Sequence, residues 1–184
     1  MLLELAVLAV IVVVVAMMYN SLVRLRETAD GAWADVDVQL KRRHDLIPNL
    51  VETVKGYATH EKGTFEAVVE ARSRAMNASG PAESAAAENM LTGALKSLFA
   101  LAENYPQLRA SENFGRLQST LFDLEDDIQK SRRYYNAVVR DYNTKIGVVP
   151  TNLVARTFGF REREFFEAEI GERQVPKVDF GDSE

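Results

Sequence analysis

A chain of 184 residues and 20.6 kDa has room for one compact domain and an anchor. Its lack of cysteine excludes disulfides and thiolate metal ligation, as well as a cysteine nucleophile. A formal charge of -5 offers no broad cationic surface for nucleic acid.

The first element is LAVLAVIVVVVAMM, residues 5–18, apolar without a break. Taken from Met1 to Tyr19 the segment has 19 residues with Glu4 as its one charge. At ~1.5 Å per residue it approaches the ~30 Å hydrocarbon core of a bilayer. A signal peptide needs a positive leading region and a small-residue cleavage site, neither of which is here. A buried helix of a soluble protein does not call for β-branched residues around its whole circumference. The expectation is a single transmembrane anchor over residues 1–19, with Tyr19 at an interface. Arg24, Arg26 and Lys41-Arg42-Arg43 all follow it, so the positive-inside rule puts the C-terminal part in the cytoplasm of a bacterial inner membrane. Arg24 and Arg26 are also placed to touch anionic head groups. Residues 20–29 read as a helical connector.

Beyond it, Trp33, Leu40, Ile47, Val54, Val68 and Ala75 fall on a seven-residue repeat that only Glu61 interrupts. Val36, Leu50, Tyr57 and Ala71 form the companion row, interrupted by Arg43 and Thr64. The two rows predict one amphipathic rod over residues 30–77, about 70 Å long if continuous. NASGPAE, residues 77–83, breaks it: Gly80 suits the N-cap, Pro81 the first helical position and Glu83 the positive helix end. A second stripe carries Ala87, Leu91, Ala94, Leu98, Leu101 and Tyr105 until Pro106 stops it. A third runs through Phe114, Leu121, Ile128, Tyr135, Tyr142 and Val149, closing near Lys145 or Ile146 ahead of Gly147 and Pro150. Thr151 then caps a short helix that ends at Gly159. Residues 161–184, with Phe165-Phe166, read as a short helix and a loose tail. The fold class is all-α: an N-terminal transmembrane helix, then an elongated antiparallel bundle of three long or medium helices plus a short C-terminal one, with residues 30–160 as the bundle.

Few residues are arranged for chemistry. His44 and His60 are 16 positions apart, too far to meet at one metal from a single helix. His60-Glu61 begins the H-E-x-x-H zinc pattern, but Thr64 occupies the second ligand position. His44 and Asp45 resemble a base and its partner, yet the nearest downstream hydroxyl is Thr53. Glu125-Asp126-Asp127 point in different directions on a helix, and Arg132-Arg133 with Tyr134-Tyr135 is best explained by packing. No catalytic, metal or cofactor site is expected. Pro48 stands apart: it has no N–H for the His44 carbonyl, and its ring crowds that turn. A kink near Ile47, or a helix restarted at Asn49, is expected beside a basic patch of Lys41, Arg42, Arg43 and His44. Such a patch suits lipid head groups or an acidic partner.

The same residues carry a family resemblance. YNSLVRLR from Tyr19 and DGAWADVDVQLKRRHDLIPNLVETVKGYATHE from Asp30 resemble the N-terminal signature of the LemA family. RLQSTLFDLEDDIQKSRRYYNAVVRDYNTKI from Arg116, then VPTNLVARTFGF and FFEAE, are similar to its later blocks in the same order. The resemblance implies a small bacterial-type membrane protein with a short exposed N-terminus, one span and a cytoplasmic helical bundle. It marks Asn20, Trp33, Leu40, Arg43, Leu46, Pro48, Asn49, Leu50, Arg132, Tyr135, Pro150, Phe158 and Phe160 as positions for fold or contact. Arg156 is a hydrophilic departure within its block. The family's company with membrane-bound zinc metalloproteases implies an accessory role in envelope quality control. The leading expectation is a non-enzymatic membrane-anchored scaffold or adaptor. The alternatives are a protease accessory factor, a membrane-shaping homo-oligomer, or an enzyme using His44 and Asp45.

Overall fold

A computed structural model describes residues 1–167 as an all-α molecule. The helices are α1 (Leu2–Lys55), α2 (Lys62–Asn77), α3 (Gly80–Glu103), α4 (Pro106–Arg109), α5 (Glu112–Gly147) and α6 (Thr151–Thr157). The apolar run, the connector and the first part of the rod are one uninterrupted helix of 54 residues. Its leading part is exposed on all sides through Val14, and packing begins at Val15 and Met18.

The rod expected over residues 30–77 is divided. Helix α1 stops at Lys55, residues 56–61 form turns, and α2 heads back along α1. Glu61 and Thr64, two of the three lapses in the apolar rows, mark this reversal. A stripe that loses both of its rows within four positions has lost its partner surface, and the chain turns there. Ala58 takes the buried place in the turn, leaving Tyr57, a member of the expected stripe, 43% exposed. The outward-running third element is then α3, with Gly80 at φ +78°, Pro81 in the first turn and the Glu83 carboxylate accepting from Ser79 N at 2.8 Å. Ser79 holds the N-cap position expected of Gly80. Ser111 caps α5 by accepting from Phe114 N, and α5 returns antiparallel to α1.

Three buried clusters run along this axis. At the far end Ile47, Leu50 and Val54 of α1 meet Val68 of α2, Leu91 and Leu98 of α3, and Phe114 of α5. In the middle Val36 and Leu40 meet Ala85, Ile128, Tyr135 and Val139. At the base Leu22 meets Tyr142, Val154, Ala155 and Phe160. Each fully buried leucine or phenylalanine contributes about 1.5–3 kcal/mol of transfer free energy. The bundle is thus four helices thick at its far end and essentially α1 on α5 toward the base.

Helix α6 ends at Thr157 and Gly159 follows with φ +73°, a left-handed close that glycine takes without strain. Residues 161–167 are not helical; they form an extended strap along α5. The short helix expected within residues 161–184 therefore does not begin in its first seven positions. The tail beyond lies outside the described residues.

Candidate functional site

Pro48 sits inside α1 without ending it, so the helix continues through it and the alternative of a restart at Asn49 does not occur. Both residues are on the exposed side, and the Asn49 carbonyl accepts from Thr53 Oγ1 at 2.8 Å. The carbonyl that Pro48 leaves without a donor is His44 O, and Arg72 of α2 supplies the missing bond: its Nε donates at 2.7 Å. The proline's cost to the helix becomes a tie between two helices.

One turn away lies a buried ion cluster. Arg43 and His44 are 5% and 7% exposed, so the basic patch of the sequence is split. Lys41 and Arg42 face out, whereas Arg43 and His44 face in. Arg43 Nη1 donates to Glu88 Oε2 at 2.9 Å, and Nη2 donates to Thr92 Oγ1 at 2.8 Å and lies 3.3 Å from Glu125 Oε2. His44 Nε2 lies 2.5 Å from the other Glu88 oxygen. The carboxylate beside His44 is thus Glu88 of α3, while Asp45 is exposed. Glu88 is 5% exposed, and both its oxygens are occupied. A cleft of about 330 Å³ borders the cluster, lined by Leu95, Phe99, Leu121 and Phe122 together with Arg43 and Lys96. His44 does not line it. Thr92 Oγ1, the hydroxyl in its lining, already accepts from Arg43. Within the cluster, Arg43, Glu88, His44 Nε2 and Thr92 Oγ1 bond to one another. His60 and Glu61 lie in the turn between α1 and α2. Glu125 is shared with Arg43, while Asp126 and Asp127 face Lys130 instead.

Toward the base, Trp33 packs its ring 5.4 Å from Tyr135 and 5.7 Å from Phe166. Four α5 side chains grip the strap backbone. Asn136 donates to Phe166 O at 3.1 Å and accepts from Phe166 N at 2.9 Å. Asn143, seven residues on, repeats both bonds with Arg163. Tyr135 donates to Glu164 O at 2.8 Å, and Arg132 Nε to Phe166 O at 3.0 Å. Burial pushes the Tyr135 phenol above its ordinary value. Arg163 adds an ion pair to Asp30 of α1 at 2.6 Å. Arg132, Trp33 and Tyr135, singled out in the sequence, therefore meet around Phe166. The two asparagines were not singled out, although two uncharged amides one heptad apart on a helix were a usable signal.

The remaining residues gather where α1 leaves its apolar run. Phe158 and Phe160 pack against Tyr19 with centroids 4.9 and 5.6 Å away. Arg26 lies 5.5 Å from the Phe160 ring centroid and 3.6 Å from Glu27, and Arg24 is exposed. Pro150, exposed, begins the turn into α6.

Comparison with known proteins matches residues 32–180 to the LemA family model. The chain belongs to the LemA family. It is 27% identical over 177 residues to magnetosome protein MamQ 2 of Paramagnetospirillum magneticum, covering 82% of this chain and 65% of that protein. MamQ of Magnetospirillum gryphiswaldense gives 27% over 176 residues with the same coverage. Protein LemA of Metamycoplasma hominis gives 27% over 169 residues, or 90% of this chain and 74% of that one. The chain thus spans about two thirds of the length of the magnetosome relatives. With the apolar helix Leu2–Lys55, this membership marks a membrane-associated helical protein.

Proposed function

We propose that this LemA protein is a non-enzymatic scaffold of the bacterial cytoplasmic membrane, which holds a helical rod on its cytoplasmic side for other proteins to bind. The observation that carries this reading is the continuity of α1: anchor and rod axis are a single helix, Leu2–Lys55. A linker would let a domain wander, whereas a shared helix fixes the rod's direction relative to the span. The inward His44, with its Nε2 on Glu88, and the Glu88 carboxylate, with both oxygens occupied, support a structural role over a catalytic one. The cationic residues after the apolar run support the cytoplasmic orientation.

The test is the mass of the full-length protein in lipid nanodiscs, paired with cross-linking in cells from cysteines placed at Lys41 and Arg42. A defined complex, with itself or with one recurrent membrane protein, is expected. A strictly monomeric particle together with no cross-linked partner overturns the scaffold. A large homo-oligomer with no second protein assigns the membrane-shaping role instead, and a recurrent metalloprotease assigns the accessory role.

A further inference from the structure

The base of the bundle carries an apolar surface that its own core does not use. Across the turn after α5 and through α6, Val148, Val149, Leu153 and Phe158 are 45%, 78%, 62% and 54% exposed. Val154, Ala155 and Phe160 point the other way, into the cluster around Leu22. So α6 is a seven-residue helix with Val154 and Ala155 in the core, while Leu153 on its outer side joins Val148, Val149 and Phe158, beside the exposed Arg156 and Thr157.

Where that outer face lies is fixed by α1. A helix needs about 20 residues to cross the hydrocarbon core. The unbroken apolar run ends at Met18 with Tyr19 following, so these last turns belong to the crossing. Yet Phe158 already packs on Tyr19 and shares an apolar groove with Val12, Val15 and Ala16. The stretch of α1 free of the bundle, residues 2–14, amounts to only about 20 Å. Phe158 lies beside Val12, Val15, Ala16 and Tyr19, so the α5–α6 corner sits at the depth of the last turns of the apolar run. Cations surround the corner on the bundle side: Arg24 and Arg26 on α1, Lys145 on α5 and Arg156 on α6. They are placed to reach head-group phosphates from an inserted apolar face.

We infer that the α5–α6 corner is a second membrane element, an interfacial wedge that inserts Val149, Leu153 and Phe158 beside the span and seats the bundle on the bilayer. This rests on the anchoring reading above. The occupant of the face is lipid, because the face continues the surface of the apolar run and shares a groove with it.

The test uses the full-length protein, whose lack of cysteine allows single labels. Nitroxides are attached through Val149→Cys and Leu153→Cys, both on exposed side chains, with Val10→Cys in the span and Phe122→Cys on the far bundle as references. In vesicles of phosphatidylcholine and phosphatidylglycerol, accessibility to oxygen and to a water-soluble nickel chelate gives depth. Labels at 149 and 153 are expected about 5–10 Å below the phosphates, with Phe122 in water and Val10 deeper. Labels at 149 and 153 as open to nickel as Phe122, with Val10 dry, overturn the wedge and leave the anchor intact. A nickel-accessible Val10 label overturns both. Labels shielded from both reagents and broadened by neighbouring spins assign the face to a second copy, which also overturns the lipid wedge.

Discussion

Arg43 and Pro48 stand one turn apart on α1, and each leaves a group that a neighbouring helix must satisfy. The sequence shows both needs openly. Pro48 withholds a donor from His44 O, so a partner was required; which one was unreadable, because Arg72 comes near only after the chain reverses at residues 56–61. Removing Arg72 with Arg72→Ala is expected to cost about 1–3 kcal/mol, the loss for a buried acceptor left unmade. In a Pro48→Ala background the helix supplies its own bond, so the same change should cost at least about 1 kcal/mol less. Urea unfolding of the four proteins in detergent measures this, and equal costs in both backgrounds would refute the tie. Arg43 was legible as a charge interrupting an apolar row. Its partner was legible too, since Ser84, Glu88, Leu91, Leu95, Leu98 and Ala102 form the buried row of α3. The stripe read from Ala87 caught part of that face, since Ala87, Leu91 and Leu98 are buried, but it passed over Glu88 on the flank. Sliding α3 by one heptad would set Arg43 against Leu95, so the pair fixes register as well as contact. Glu88→Ala, which takes the buried carboxylate from His44 and leaves Arg43 only Thr92 and the partly exposed Glu125, is expected to lose stability toward the lower end of about 3–5 kcal/mol. Arg43→Leu with Glu88→Leu should recover most of that. A double variant as unstable as Glu88→Ala alone would show that the charges stabilise beyond register.

The strap of residues 161–167 is the element least visible in the sequence. Its aromatics suggested a short helix, because Phe165-Phe166 has no periodicity to distinguish an extended segment from a helical one. What decides its conformation lies on another element: Asn136 and Asn143 offer paired amide bonds that only an extended backbone can accept at both Arg163 and Phe166. A helical strap would spend those backbone groups internally. Because the two asparagines read backbone, much of the strap's hold is independent of its own side chains, with Phe165, Phe166 and Arg163 among those that add to it. Asn136→Ala is expected to remove two bonds and cost about 1–3 kcal/mol, because the Phe166 N–H is left unmade while Arg132 still donates to Phe166 O. The local effect is sharper than the global one. Hydrogen exchange at the Phe166 amide should rise to that of a free chain, while the amides of Leu91 and Leu98 in the far cluster keep their protection. Uniform loss of protection along the bundle would mean that the strap is integral to the core rather than laid upon it.

At the scale of the whole molecule, α1 is the axis to which every other part is referred. Its 54 residues reach about 80 Å, of which roughly 50 Å lies beyond Tyr19. A reach of that size is useful to a scaffold only if the axis is stiff, and Pro48 is where stiffness would fail. Two features act against a hinge there. Arg72 braces the carbonyl that the proline orphaned, and Ile47, Leu50 and Val54 are held on three sides by α2, α3 and α5. Bending α1 at Pro48 would open that far cluster and break the Arg72 bond together. The sequence foretold the proline and the unbroken apolar rhythm across it, yet a kink remained open, because the brace comes from a helix whose direction was unknown. Nitroxide labels at Thr28→Cys and Lys55→Cys flank the site on one helix. A pulsed dipolar measurement on the full-length protein in nanodiscs should give a single narrow distance near 40 Å, the length of 27 straight helical residues. Adding Arg72→Ala should broaden that distribution toward shorter distances without moving its longest edge. A broad distribution in the unaltered protein would make Pro48 a joint. The far end of the rod would then swing independently of the span, and the scaffold would lose the fixed reach on which its proposed role depends.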